Sequence, residues 1–153
     1  MKRLSSLLLV ALLLVSCGGG GGGGGSDVPF FGGIWTGSAT LARNTCSLSV
    51  SQQVQGSFPH TVNQMDEEVV LDEAGGTTWR GVVKGTTGFL VARSAPTTDI
   101  GNGVFCSYDA GIAYDDVHGD NGNVIFAFVL SCARGGQQLN CEVAYTGTVQ
   151  RIS

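Results

Sequence analysis

The sequence predicts an all-β domain, expected to be an eight-stranded antiparallel meander closed into a barrel. Three observations carry that expectation. Residues 27–153 hold no long stretch of helical period. Runs rich in Val, Thr, Tyr and Phe recur between clusters of Gly, Asn, Asp and Pro. The connections are short and carry turn chemistry, as in Ala74-Gly75-Gly76, Gly85-Thr86-Thr87 and Asp120-Asn121-Gly122. Short links make successive strands pair antiparallel. An open sheet would expose two edges, and closure into a barrel removes both. A two-sheet β-sandwich is the alternative.

The first expected strand is Gly33–Leu41. The second, Cys46–Gln55, alternates most clearly: Cys46, Leu48 and Val50 face one way, and Ser47, Ser49 and Ser51 the other. That is the pattern of one buried and one solvated face. The third is Thr61–Leu71, although Gln64-Met65-Asp66-Glu67-Glu68 also suits a turn of helix. Thr77–Lys84, Gly88–Arg93, Val104–Tyr114, Val124–Cys132 and Cys141–Ile152 complete the set. Phe126, Phe128, Leu130 and Cys132 share one face of their strand. Cys141, Val143, Tyr145 and Val149 share one face of the next. A barrel of this size holds side chains alone or one small ligand. Phe126, Phe128 and Tyr145 are therefore the candidate lining of an apolar ligand site. A filled core is the competing expectation for so small a domain.

The chain has 153 residues, which suits one folded domain. Its start is unlike the rest. Lys2 and Arg3 precede an apolar run from Leu7 to Val15. A charged start, a short apolar run and a small residue before a cut form the layout of a signal peptide. The run is too short for a spanning helix, which needs about 20 residues. Residues 18–25 are all glycine and Ser26 follows. Such a tract is a flexible tether with a reach of about 15–18 Å. The expected division is a signal peptide over 1–16, a modified Cys17 with its tether over 17–26, and the β-barrel domain over 27–153.

Leu14-Val15-Ser16-Cys17 closes the signal segment and resembles the lipobox of bacterial lipoproteins. The resemblance implies a diacylglyceryl group on the Cys17 thiol, cleavage before Cys17, and acylation of the new amine, with palmitate as the expected chain. One acyl chain binds a membrane marginally, and two anchor it stably. Gly18 rather than Asp follows the cysteine. By the family's sorting rule, this implies the outer membrane in a Gram-negative cell. In a Gram-positive cell it implies the outer face of the only membrane.

The formal net charge is −4, and loss of Lys2 and Arg3 makes it more negative. The remaining cations (Arg43, Arg80, Lys84, Arg93, Arg134 and Arg151) are dispersed. Nucleic acid needs a basic surface that is missing here.

With Cys17 consumed by lipid, Cys46, Cys106, Cys132 and Cys141 remain. An even set in an exported chain implies two disulfides. Three pairings are open. Residues 133–140 read as a hairpin loop with a cysteine at each side of its mouth, which favours Cys132–Cys141 and leaves Cys46–Cys106. No paired CxxC or HxxxH spacing suggests a metal site, and no cofactor is expected. His60 and His118 fall in expected loops. No G-x-S-x-G elbow is present. The acids of Asp66-Glu67-Glu68 and Asp72-Glu73 would point to alternate faces of a strand and read as solvated charge. The oxygen-rich Asp115–Asn123 segment misses the EF-hand register and reads as a polar hairpin loop. No catalysis is expected.

Gly33-Ile34-Trp35 is similar to the G-x-W of the lipocalin and wider calycin superfamily. That resemblance implies a tryptophan closing one end of the barrel with an arginine of the last strand across it. Trp35 and Arg151, with Gly33, are the matching residues. Cation–π attraction of this kind is worth about 0.5–2 kcal/mol. Trp35-Thr36-Gly37 and Tyr145-Thr146-Gly147-Thr148-Val149-Gln150-Arg151 also resemble small exported barrel lipoproteins. The Thr-Asp-Tyr element of lipocalins is not evident. The expected role is a non-catalytic, membrane-anchored envelope lipoprotein, binding a small or apolar ligand in its barrel. The alternative is a protein-interaction module, like the G-x-W barrels that inhibit periplasmic metalloproteases. Those use an extended N-terminal strand as a plug, where this chain has polyglycine.

Overall fold

The structure is a computed structural model and describes residues 28–46, 53–54 and 58–153. The expected signal segment, Cys17, the glycine tract, Leu48 and Val50 lie outside the described residues.

The described residues form nine strands and no helix. They are β1 (Gly33–Asn44), β2 (Gln53–Val54), β3 (His60–Met65), β4 (Glu68–Glu73), β5 (Thr78–Lys84), β6 (Gly88–Asp99), β7 (Val104–His118), β8 (Asn121–Arg134) and β9 (Gln137–Arg151). From β3 to β9 each strand pairs antiparallel with the next, and β1 pairs with both β3 and β9. Eight strands thus close an antiparallel meander barrel, and the two-residue β2 pairs with β1 beyond β3, on the edge opposite β9.

The expected third strand is two strands. Asp66 adopts a left-handed φ of 54° and turns the chain between β3 and β4. A short polar side chain tolerates that conformation better than most. The run of charge at 66–68 marks a hairpin turn, with no helical turn there. Of the expected second strand, the described part that is strand is Gln53–Val54. The segment 133–140 is mostly strand as well. Only Gly135 and Gly136 turn the chain, both at positive φ (55° and 81°). Two successive positive φ values define the tight hairpin turn whose twist suits antiparallel strands.

That tight turn changes the disulfides. Its register sets Cys132 opposite Leu139, and Cys141 opposite Leu130. The two cysteines are therefore two positions out of step, and the expected Cys132–Cys141 bond does not form. Cys132 instead lies directly across the β7–β8 ladder from Cys106, Cα to Cα 4.1 Å, and bonds to it. Cys46 follows the end of β1, where the Thr45 N–H donates to the Glu142 carbonyl at 2.8 Å. It bonds to Cys141, Cα to Cα 4.9 Å. The correct pairs are Cys46–Cys141 and Cys106–Cys132.

Alternation divides the sheet into two faces. Trp35, Leu71, Val91, Ile112 and Val124 point inward and are fully buried. Together with Val62, Val69, Phe89, Tyr114, Phe126 and Val149 they fill the core. Gly147, on the inward phase of β9, has room for no side chain, because a Cβ would overlap the Ser38 carbonyl. The walls differ in height. Strands β3–β5 have 6–7 residues, while β6–β9 have 12–15. The tall wall rises past the short one at the end that carries the disulfides.

Mapping of non-reduced proteolytic fragments will recover Cys46 linked to Cys141 and Cys106 linked to Cys132. A Cys132–Cys141 fragment would refute the register. The enclosed spans are 95 and 26 residues. Loop entropy then predicts losses of about 5 and about 3.5 kcal/mol when each pair is replaced by alanines. Equal losses in denaturant unfolding would contradict that order.

Candidate functional site

The two ends of the interior are finished differently. At one end Trp35 is completely buried, and its indole N–H donates to the Phe31 carbonyl at 2.8 Å. Phe31 enters the core from the segment before β1 and packs on Phe89, centroids 5.6 Å apart. Trp35 meets Tyr114 edge-on at 5.5 Å. The Arg151 guanidinium lies 5.4 Å from the Trp35 ring centroid. Asp120 holds it there through an ion pair of 2.9 Å. Gly33, at φ 136°, lets the chain pass the Ser153 carbonyl and the Arg151 side chain.

At the other end the inward phase turns polar. On β6 the phase that buries Phe89 and Val91 carries Arg93 two residues on, opposite the buried Ala110. Trp79 stands on the inward phase of neighbouring β5. The Arg93 guanidinium lies 5.5 Å from the Trp79 ring centroid and 5.7 Å from that of Tyr108. It donates to the Tyr108 hydroxyl at 2.7 Å. The charge is thus held between two aromatic faces. Among the described residues no carboxylate forms an ion pair with it. Beside it, the Trp79 indole N–H is buried without a hydrogen-bond partner, in a residue 4% exposed. A buried donor left unpaired costs about 1–3 kcal/mol.

Beneath this mouth lies His60. It is 1% exposed, as the first residue of β3, and so is a core residue where a loop was expected. Its Nδ1 lies 2.7 Å from the Tyr114 hydroxyl, and its Nε2 faces Glu73 Oε1 at 3.9 Å. A carboxylate only accepts, so this placement suits a proton on Nε2 and a tyrosine hydroxyl donating to Nδ1. Burial pushes the His60 pKa down to about 4 and raises that of Tyr114. Phe58 covers the histidine, its ring 4.8 Å away and 5.0 Å from Phe126.

The three expected lining residues share the inward face. Phe126 lies opposite Tyr145, and both are buried in the core. Phe128 lies opposite Val143 near the mouth and is 37% exposed. The mouth therefore joins Phe128 to Trp79, Arg93 and Tyr108. Tyr108 stood among the aromatic residues of the sequence. Arg93 and Trp79 were not singled out there. The legible signal was an arginine in the apolar phase of Phe89-Val91-Arg93.

The oxygen-rich segment at 115–123 belongs to the β7–β8 hairpin. Its acids serve neighbours: Asp115 accepts from the Asp116 N–H at 2.8 Å, Asp116 meets His118 at 2.9 Å, and Asp120 holds Arg151. Among the described residues no three His, Cys, Asp or Glu side chains gather as metal ligands.

His60 makes stability depend on pH. Its pKa falls from 6.5 to about 4 on folding, so the unfolded chain binds the proton first. Stability is full above pH 6.5 and declines as the pH drops toward 4, by about 3 kcal/mol in all. His60→Gln will flatten that decline in urea midpoints measured across the range, and an unchanged slope would refute it.

Compared with family models, with curated proteins and with solved structures, the chain matches none.

Proposed function

We propose that this chain is an envelope lipoprotein, anchored through lipid on Cys17, whose barrel takes up a small ligand at its open end without transforming it. The supporting observation is the asymmetry of the interior. One end is sealed by Trp35, Phe31 and Arg151. At the other, inward-facing Phe128 is exposed, and Arg93 and Trp79 leave charge and a donor unmatched. Ligand sites in barrels take this form, an apolar wall with a few placed polar groups. The buried histidine supports a structural role for itself, since its Nδ1 is occupied by Tyr114. The lipid anchor rests on the Leu14-Val15-Ser16-Cys17 resemblance, and outer-membrane placement in a Gram-negative cell rests on Gly18.

A protein-interaction module is the second reading. It is favoured by the outer face of the tall wall, where Phe105, Ile125 and Val129 are exposed. These apolar side chains point away from the core, at intervals of four residues along the β7–β8 ladder.

Native mass spectrometry of the processed full chain, released from membranes in mild detergent, tests both parts. The expected species begins at Cys17, carries acyl groups, lacks four hydrogens for its two disulfides, and keeps a copurifying small-molecule adduct. Cys17→Ser will retain the signal segment and lose the lipid. Acyl groups persisting on that variant would sink the anchor. A clean mass with a protein copurifying would transfer the case to the interaction module.

A further inference from the structure

The open end of the barrel gathers three features. Arg93 sits on the inward phase without an anionic partner among the described residues. Trp79 and Tyr108 flank its guanidinium. Phe128 leaves an apolar surface exposed on the same inward face. Resting on the ligand-binding reading above, we infer that this mouth binds an organic carboxylate, with Arg93 as its countercharge and the flanking aromatic rings as its apolar wall.

The chemistry selects that class. One Arg93 nitrogen is engaged by the Tyr108 hydroxyl at 2.7 Å, which fixes the guanidinium and leaves its other N–H groups for a ligand. The remaining N–H groups of the guanidinium fork supply donors for the two oxygens of a carboxylate. The Tyr108 bond adds no charge, so the exposed guanidinium has no carboxylate partner among the described residues. The aromatic rings and Phe128 suit an apolar body attached to that carboxylate. A dianion such as phosphate carries more negative charge than this single guanidinium matches. A neutral ligand would leave Arg93 unmatched.

The test uses the full lipidated chain in phosphatidylcholine nanodiscs, titrated calorimetrically, with empty discs subtracted. The probes are phenylacetate and octanoate, each beside its uncharged primary amide, and inorganic phosphate. At least one carboxylate will bind saturably, at least tenfold tighter than its amide and than phosphate. Arg93→Gln will bring the acid to the level of the amide. Thermal unfolding of that variant must stay within a few degrees of the parent, and Arg80→Gln, on the outer phase, serves as the charge control. Equal binding of acid and amide overturns the carboxylate while leaving a ligand-binding barrel. Tightest binding by phosphate overturns the organic ligand. Undiminished binding by Arg93→Gln overturns the site. If neither acids nor amides bind, the ligand-binding reading itself falls.

Discussion

The pairing of β1 with β9 is the constraint on which the rest of this molecule depends. It joins the first long strand to the last, with Trp35 opposite Arg151 and Leu41 opposite Tyr145. Without it the meander would be an open sheet with two unsatisfied edges and an interior face turned to water. With it, the inward side chains of the core are surrounded. The Cys46–Cys141 bond ties the same seam covalently just past the end of β1. Closure also dictates composition, since Gly147 on the seam leaves room for the Ser38 carbonyl.

Closure makes one interior with two unlike ends. The Trp35 end is layered with aromatic rings and capped by Arg151, whose charge is met by Asp120. The mouth repeats the motif of an arginine over a tryptophan, Arg93 over Trp79, but among the described residues no carboxylate pairs with Arg93. The same local chemistry is electrically balanced at the base and unbalanced at the rim. Between them His60 and Tyr114 satisfy each other in the centre of the core. That bond meets the rule that buried polar groups find partners, and the Trp79 N–H stands out against it.

How much of this was legible in the sequence follows from the range of each interaction. Strand identity is local, and alternation plus turn residues located most of the strands that close the ring. The meander order followed from short links alone. Pairing of cysteines is set by register, which one tight turn at Gly135-Gly136 shifts by two residues relative to a longer loop. The two cysteines nearest in sequence, Cys132 and Cys141, are therefore not partners. His60 follows Pro59 and reads as a loop residue, yet closure brings Tyr114 to it from 54 positions away. Arg93 was legible as an anomaly of phase on β6. Its aromatic neighbours come from β5 and β7, and only the register sets them around one guanidinium.

Both disulfides lie at the mouth, where the tall wall rises beyond β3–β5. Projecting hairpins without a second layer fray, because a two-stranded ribbon is marginal in water. Here Cys106–Cys132 locks β7 to β8, and Cys46–Cys141 locks the end of β1 to β9. The rim is thereby rigid in advance of any contact it makes. Rigidity paid in covalent bonds leaves little conformational entropy to lose on association. Reducing conditions would soften the rim first and leave the aromatic base in place, so the stiffness of the open end is set by redox chemistry.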